Sequence, residues 1–540
     1  MRNFILRNRY ILLFLSFIFI YFNFRIINNF GFYNDDWLFF SINDQKFYDW
    51  ALRVWNGEGG EIRRHIVAPY YIFLHFFSKE VVYSFSIILS VVIFFLIFIL
   101  FKKLILKNFK YLDNDQTYLN IIILILSWYF FPFNIGGQFW ITAIIHTKIS
   151  TIFFLIHLIF LIKNRILFAT LFLILCFNSY EIYFFSYLPL TLIFFFGGLI
   201  DIKVFKKYLF YSIVIQVIFL FDKQRASHNI DFIKIVFLSL ENIVRFFWSI
   251  YSLIPESINF KIKGTLLILL ALILLSLFKD FFKEKKKKFK LKIFICLSFA
   301  FFLNVVVHVV GTYGYWGKGI FSRTMFFPSL LLLFFLIFFI TIFKKKISLY
   351  FSFFLFFISC VFFYFEIRNW EKSANLQEKI ISNFLSFHSK HSFSSSSKKL
   401  ILFFGPCYIN GVDIFNATWD LQNAILFKNL SYKNDTIIPI QDWNIEISLI
   451  TSEEIKTKKD SILVVHNYSY DLKNFDKIYF WDYFNNNIKE INKNFNVSNQ
   501  IKKMRNNRDC SVETDFRLKA KNDKNNFYNF FNTKNVIENK

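Results

Sequence analysis

The stretch "VVYSFSIILSVVIFFLIFILFKKLILKNFK" (81–110) decides the fold class of this chain. Its first 21 positions, 81–101, carry no charge. A run of about 18–20 apolar residues is enough for one helix to cross a bilayer. The run stops at Lys102, Lys103, Lys107 and Lys110, as a span does on its basic side. The pattern recurs on either side, with spans expected near 10–29, 81–101, 118–133, 147–162, 166–178, 182–200, 208–221, 264–278, 293–310, 325–343 and 347–365. The expected fold class is therefore an α-helical polytopic membrane protein of about 11 helices, with a further small domain at its C-terminal end.

Composition agrees. The mean hydropathy is +0.43, and 56% of the 540 residues are hydrophobic, which excludes an ordinary soluble protein of this length. Part of the richness in Phe (83 residues) reads as bias toward A/T-rich codons and carries little functional weight. The net charge of +26 would suggest nucleic acid in a soluble protein, but here it lies in short clusters between apolar runs. The N-terminal run after Arg2, Arg7 and Arg9 lacks a small-residue cleavage site and reads as a retained first helix.

Alternating the loops between the two faces sorts the charge. One face receives the N terminus, 102–110, Lys163 and Arg165, "DIKVFKK" (201–207), "KDFFKEKKKKFKLK" (279–292) and "KKK" (344–346). The positive-inside rule makes that face cytoplasmic. The opposite, extracytoplasmic face receives the long loops 30–80, 222–263 and 311–324, the shorter 134–146 and 178–181, and everything beyond about 366. The expected location is a multi-pass protein of the inner (cytoplasmic) membrane, its N terminus cytoplasmic and its C-terminal domain extracytoplasmic.

The domain division places the membrane part at 1–370 and a Ser-rich linker at 371–399, with "SFHSKHSFSSSSKK" (386–399) as its core. A small mixed α/β domain follows at 400–500. Strands are expected at "LILFFG" (400–405), "TIIPI" (436–440), "SILVVHNY" (461–468) and "KIYFWDYF" (477–484). Residues 501–540 have the polar, Lys/Asn-rich composition of a disordered tail. Cys176, Cys296 and Cys360 fall in apolar runs as small core residues, no Cys/His spacing suggests zinc, and a bond between Cys407 and Cys510 is left open.

The residues able to carry chemistry face the extracytoplasmic side. "GFYNDDWLFF" (31–40) puts Asp35 and Asp36 at the edge of the first span. One reading makes them interfacial caps of a helix starting near Trp37. The other makes them functional, because adjacent carboxylates repel and a cap needs only one. Neighbouring side chains on a helix diverge by about 100°, so one faces a substrate while the other binds a helix end, a basic partner or a metal. The same loop carries Arg63, Arg64 and His65 after a Gly-rich stretch. Paired guanidinium groups suit a phosphate, and contact with lipid headgroups is the competing reading. "NIGGQFWITAIIHTKIS" (134–150) adds Gln138, His146 and Lys148; His157 and Glu181 read as structural. "HVVGTYGYWGKGIFSRTMFFP" (308–328) gathers Tyr313, Tyr315, Trp316, Lys318 and Arg323, rings that suit a sugar face and cations that suit a phosphate. An interfacial aromatic belt is the alternative there. The 222–263 loop, with Arg225, His228 and Arg245, reads as lying along the membrane surface. No Walker A loop, dinucleotide-binding glycine motif, nucleophile elbow or HExxH motif is present, which argues against ATP-driven transport by this chain alone.

The placement of "YNDDW" (33–37) just after the first span resembles the GT-C-type polytopic glycosyltransferases, which carry an acidic pair there and take sugars from polyprenyl-phosphate donors. Many bacterial members follow the pair with a Trp and then an Arg in a Gly-containing stretch, and Trp55 with Arg63 or Arg64 looks similar. The resemblance covers roughly 1–370; "NGEGGEIRRH" is longer than the family's simple Gly-Arg, so which Arg corresponds stays open. It implies Asp35 and Asp36 as catalytic residues, Asp35 as general base toward an acceptor hydroxyl. Arg63, Arg64, Lys318 and Arg323 would hold the leaving phosphate. His65, Gln138, His146, Lys148, Tyr313, Tyr315 and Trp316 would line the substrate site. The implied partners are a polyprenyl-phosphate sugar, an envelope glycan, lipid or protein acceptor, and membrane lipids, with no nucleic acid. Some relatives use a divalent cation such as Mg or Mn and others do not. The alternatives are a transporter or flippase of lipid-linked glycans, or a polymerase or ligase relying on Arg225 and Arg245.

Overall fold

In the computed structural model, the residues described are 2–33, 36–37, 69–70, 72–73, 75–108, 115–180, 183–220, 236–244, 287–310, 324–340, 345–390, 398–406, 408–409, 412–415, 420–428, 435–440, 447–449, 462–465, 468–491 and 511–512. The membrane part consists of α1 (Arg2–Asn29), α2 (Lys79–Asn108), α3 (Asp115–Tyr129), the short α4 (Ile135–Phe139), α5 (Ser150–Ile162), α6 (Ile166–Ser179), α7 (Tyr183–Phe196), α8 (Ile202–Leu220), α9 (Lys287–Val310), α10 (Phe326–Ile340) and α11 (Lys345–Lys390). Every expected span overlaps a helix except 264–278, which lies outside the described residues. Among the described residues five helices are long and apolar enough to cross a membrane: Phe4–Asn29, Lys79–Asn108, Ile141–Ile162, Lys288–His308 and Ile347–Ser386. Ile166–Ser179, Ser186–Phe196 and Phe326–Phe339 are shorter apolar helices.

Local chemistry sets the hairpins. α5 ends where Asn164 takes φ 60°. Arg165 N then bonds Phe160 O at 2.9 Å and Asn164 N bonds Leu161 O at 3.0 Å, the paired bonds of a Schellman stop. α7 ends the same way at Gly198, φ 66°, with Leu199 N to Phe194 O at 3.0 Å and Gly198 N to Phe195 O at 2.8 Å. His157 is fully buried, Nδ1 2.9 Å from Ala169 O and Nε2 3.0 Å from the Tyr208 hydroxyl. Since a carbonyl only accepts, Nδ1 carries the proton and Nε2 receives the tyrosine's, a neutral core histidine.

Between α3 and α5 the chain does not hold one helix. Pro132–Asn134 and Ile141–Ala143 are 3₁₀ turns around α4, and Ile145–Ile149 is a π turn leading into α5. This segment was expected as a loop at 134–146; it is instead an interrupted helix, buried almost throughout.

α11 is the longest element, 46 residues or roughly 69 Å at 1.5 Å per residue. That is about twice a hydrocarbon core of ~30 Å, and the helix carries on through 371–390, where the sequence suggested a linker. The C-terminal domain packs on this extension. Its main sheet runs β4-β1-β8-β9. β1 (Lys399–Phe404) is parallel to both β4 (Thr436–Pro439) and β8 (Lys477–Asp482), and β9 (Asn487–Glu490) is antiparallel to β8. A helix, α12 (Asp420–Lys428), stands between β1 and β4 in the chain. β1 is buried at all six positions because both faces of the sheet are covered. Ile401, Phe403 and Trp481 join the core shared with α1 and α11, while Leu400, Leu402 and Phe480 pack on the other side. Two three-stranded sheets complete the domain. β2 (Tyr408–Ile409) pairs with β3 (Val412–Asp413) and β10 (Ser511–Val512), and β6 (Ile462–Val465) pairs with β5 (Ile447–Leu449) and β7 (Tyr468–Asp471).

Candidate functional site

The chain leaves α1 through Phe30 and Gly31 against α11. A Cβ on Gly31 would lie 3.0 Å from Ala374 Cβ, so only glycine allows this approach without a shift. The Phe30 ring stacks on Trp370 (5.6 Å, 11°), and Tyr33 meets Trp370 edge-on at 4.5 Å. The Tyr33 hydroxyl donates to Trp370 O at 2.7 Å. Burial pushes the Tyr33 phenol well up, and the charges of Asp36 and Glu371 push it the same way, so it stays a neutral donor. Arg25 of α1 is paired with Glu371 of α11, Nε to Oε1 at 2.9 Å, and Asn29 Nδ2 donates to the same oxygen at 3.0 Å.

Asp36 is fully buried at this junction. Its Oδ2 accepts from Tyr33 N at 3.0 Å, closing its own turn, and its Oδ1 accepts from Thr142 N at 3.1 Å. Thr142 belongs to the interrupted segment. The carboxylate thus fastens the loop after α1 to the break between α3 and α5. A helix interruption buried in a protein needs its freed backbone groups satisfied from within. Here Asn134 Nδ2 donates to Trp128 O (2.8 Å) and Gln138 Nε2 to Tyr129 O (2.8 Å). Ser86 Oγ of α2 donates to Gln138 O (2.8 Å), Tyr70 hydroxyl to Ile141 O (2.7 Å), and Trp140 Nε1 back to Tyr33 O (3.1 Å). Gly137 packs so closely on α10 that a Cβ there would fall 2.9 Å from Phe326 Cβ.

The remaining sequence candidates on this segment divide in two. Lys148 is 1% exposed; its Nζ donates to Ser86 O (2.9 Å) and Ser86 Oγ (2.6 Å) and stands 5.0 Å above the Phe139 ring. Gln138 is equally buried. Both tie the broken segment to its neighbours. His146 is half-buried, with Nδ1 2.9 Å from Ser179 O and its ring 5.5 Å from Tyr180. Asp35, Arg63, Arg64, His65, Tyr313, Tyr315, Trp316, Lys318 and Arg323 lie outside the described residues, as do Trp55, Glu181, Arg225, His228, Arg245, Cys407 and Cys510. Among the described residues no three His, Cys, Asp or Glu side chains are grouped to hold a metal ion.

Comparison with protein-family models, with curated proteins and with solved structures returns no match to this chain.

Two features of the site go beyond the sequence candidates. The first is a polar stripe on α11. Glu366, Asn369, Ser373 and Gln377 are all buried, at the three- and four-residue spacing of one helix face. The string "EIRNWEKSANLQ" (366–377) carried that signal, masked by the assumption that the helix ends near 365. The second is the C-terminal domain. Trp37 meets Phe415 and Phe427 at 6.3 and 6.1 Å, Phe32 meets Phe427 at 5.8 Å, and Gln377 Nε2 donates to Ile414 O at 2.7 Å. The domain therefore rests on the acidic loop itself.

Proposed function

We propose that the chain is a membrane glycosyltransferase that moves a sugar from a polyprenyl-phosphate donor to a cell-envelope acceptor on the extracytoplasmic face. The eleven-span, inner-membrane topology with a cytoplasmic N terminus belongs to the same proposal. The observation that supports it is the buried, doubly bonded carboxylate of Asp36 directly after the first span. Asp36 is buried with both oxygens bonded to peptide N–H groups, which suits a positioning role. Adjacent side chains on a helix diverge by about 100° as a rule, and on that ground we assign the chemistry to Asp35, which lies outside the described residues. In the proposed reaction the Asp35 carboxylate takes the acceptor hydroxyl's proton, the hydroxyl oxygen bonds the anomeric carbon, and the sugar–phosphate bond breaks with inversion. Its electron pair leaves on the lipid phosphate, held by Arg63 or Arg64 with Lys318 and Arg323. Asp36 and Lys148 hold the loop and the broken segment in register without touching substrate. No step requires a metal or nucleotide.

The test is radiolabelled polyprenyl-phosphate sugar offered with envelope acceptor to membranes carrying Asp35→Asn or wild type. A general base contributes about 10²–10⁴-fold, so the variant is expected to lose transfer by that factor while its unfolding temperature is unchanged. Product at the wild-type level would overturn the assignment. A transporter of the same lipid-linked glycan is the second reading. The interrupted helix at 132–149 favours it, since such breaks line transport sites. In that case donor is moved across a vesicle membrane intact, and Asp35→Asn leaves donor hydrolysis and transfer at the background of vesicles lacking the protein.

A further inference from the structure

We propose that the furrow between α1, α2 and α3, at the end of the bundle carrying Arg7 and Lys102, binds one anionic phospholipid, with its phosphate on Lys102 and an acyl chain between the helices. The cavity there measures about 540 Å³. Leu12, Leu15 and Phe19 of α1, Phe94 and Phe98 of α2 and Ile122 of α3 form its walls. Ile20 and Phe95 also line it and are 64% and 59% exposed, so the furrow opens sideways, toward the lipid.

Its polar groups gather at one end. Asp115 closes that end and is held by Arg7, Nη1 to Oδ2 at 3.4 Å. Lys102 stands beside it, its ammonium 5.1 Å above the Tyr118 ring and with no carboxylate paired to it among the described residues. Among the described residues at the mouth, Arg7 and Lys102 stand against the one carboxylate of Asp115, a balance that is positive, and Arg9 and Lys103 lie close by in the sequence. An apolar trough with basic side chains in excess among the described residues of its rim is complementary to a lipid whose headgroup is an anion. Beyond the Arg7–Asp115 pair a second cavity of about 480 Å³, bordered by Asn8, Gln116 and Tyr350, offers room and hydrogen bonds for the rest of the headgroup.

Depth selects the occupant. From Lys102 to Val91 on α2, and from Asp115 to Leu126 on α3, the furrow follows about 11 residues, or ~16 Å of helix. One leaflet of hydrocarbon is ~15 Å deep, half of a core of ~30 Å. The site thus fits one acyl chain and is too short for a long polyisoprenoid. It also lies at the opposite end of α1 from Asp36.

The test uses the purified full-length protein in neutral detergent, followed by native mass spectrometry and by thermal unfolding with phosphatidylglycerol, phosphatidylcholine or inorganic phosphate. Wild type is expected to retain one phosphatidylglycerol and to be stabilised by it alone. Lys102→Ala is expected to weaken retention about fivefold, the effect of one cation at a lipid surface. Ser16→Trp fills the furrow from an exposed position and is expected to abolish retention without changing the lipid-free unfolding temperature. Equal stabilisation by phosphatidylcholine, the same shift from inorganic phosphate, or retention unaltered in both variants would each overturn the site. No sugar donor enters the assay, so its result is independent of the transfer reaction.

Discussion

Two buried carboxylates in this protein are held by different means. Asp36, at the junction of α1 with the broken segment, accepts from two peptide N–H groups, at 3.0 and 3.1 Å. Asp435, beside β4 in the C-terminal sheet, is also buried but faces an ammonium, with Lys399 Nζ 3.8 Å from Oδ1. Peptide donors are placed by the fold and cannot titrate or swing away, so Asp36 acts as a fixed joint between two segments. A Lys–Asp pair is two separate charges taken out of water, and its worth depends on how far their attraction repays that transfer. The junction should therefore break through lost hydrogen bonds and packing, and the sheet should respond to pH.

The strongest challenge to the junction is Trp370→Ala. Trp370 is fully buried, and its ring stacks on Phe30 and meets Tyr33 edge-on. Removing a buried Trp side chain costs about 3–5 kcal/mol, and thermal unfolding in detergent should report a loss of that size. A small loss would mean that the loop after α1 is not seated by α11. Asp36→Ala comes next. It strands the Tyr33 and Thr142 N–H groups, each buried orphan costing about 1–3 kcal/mol. Asp36→Asn keeps an acceptor and should cost less. Hydrogen exchange at Thr142 should accelerate in both variants, more in Ala; unchanged protection would show that Asp36 is not the joint.

These contrasts also show what could be read from the sequence. The long apolar runs gave away α1, α2, α9 and α11, because runs of 15 or more residues without charge have few other uses. In the C-terminal domain β1, β4, β6 and β8 were legible from their β-branched and aromatic runs, while the shorter β2, β3, β5, β9 and β10, and β7 as a strand of its own, were not. The interrupted segment was not, since Pro132, Gly136 and Gly137 suggest a loop as readily as a break. What makes it a buried break is the set of distant side chains that satisfy it: Ser86, Tyr70 and Asp36. The burial of Asp36 was not legible either, because the sequence could not say which of two adjacent aspartates faces inward. Nor could it place the C-terminal domain against Trp37, because contacts between residues some 380 positions apart leave no local pattern.

A milder effect is expected at the far end of α1. Arg7 and Asp115 form a pair whose Arg side chain is 77% exposed. Exposed pairs contribute roughly 0–1 kcal/mol, so Arg7→Ala should leave lipid-free stability nearly unchanged. A loss rivalling that of Asp36→Ala would erase the distinction between a buried joint and a surface pair.

The smallest signal, and the one that sharpens the comparison most, is the pH response of the sheet domain. Burial raises the Asp435 pKa from its ordinary value of 3.8, and the pull of Lys399 offsets this only in part. The folded state therefore holds its proton more tightly than the unfolded chain does. Below the ordinary carboxylate value both states are protonated, and above the raised native value both are ionised. Between these limits the folded state binds more protons, so stability is greatest at the acid end and falls as pH rises, by at most one proton's slope, ~1.4 kcal/mol per pH unit. Hydrogen-exchange protection of Ile437 and Ile438 in β4, corrected for intrinsic exchange, should decline across that window. Asp435→Asn should flatten the decline while leaving Thr142 untouched. If the slope persists in Asp435→Asn, the ammonium–carboxylate pair is not what distinguishes this buried acid from Asp36.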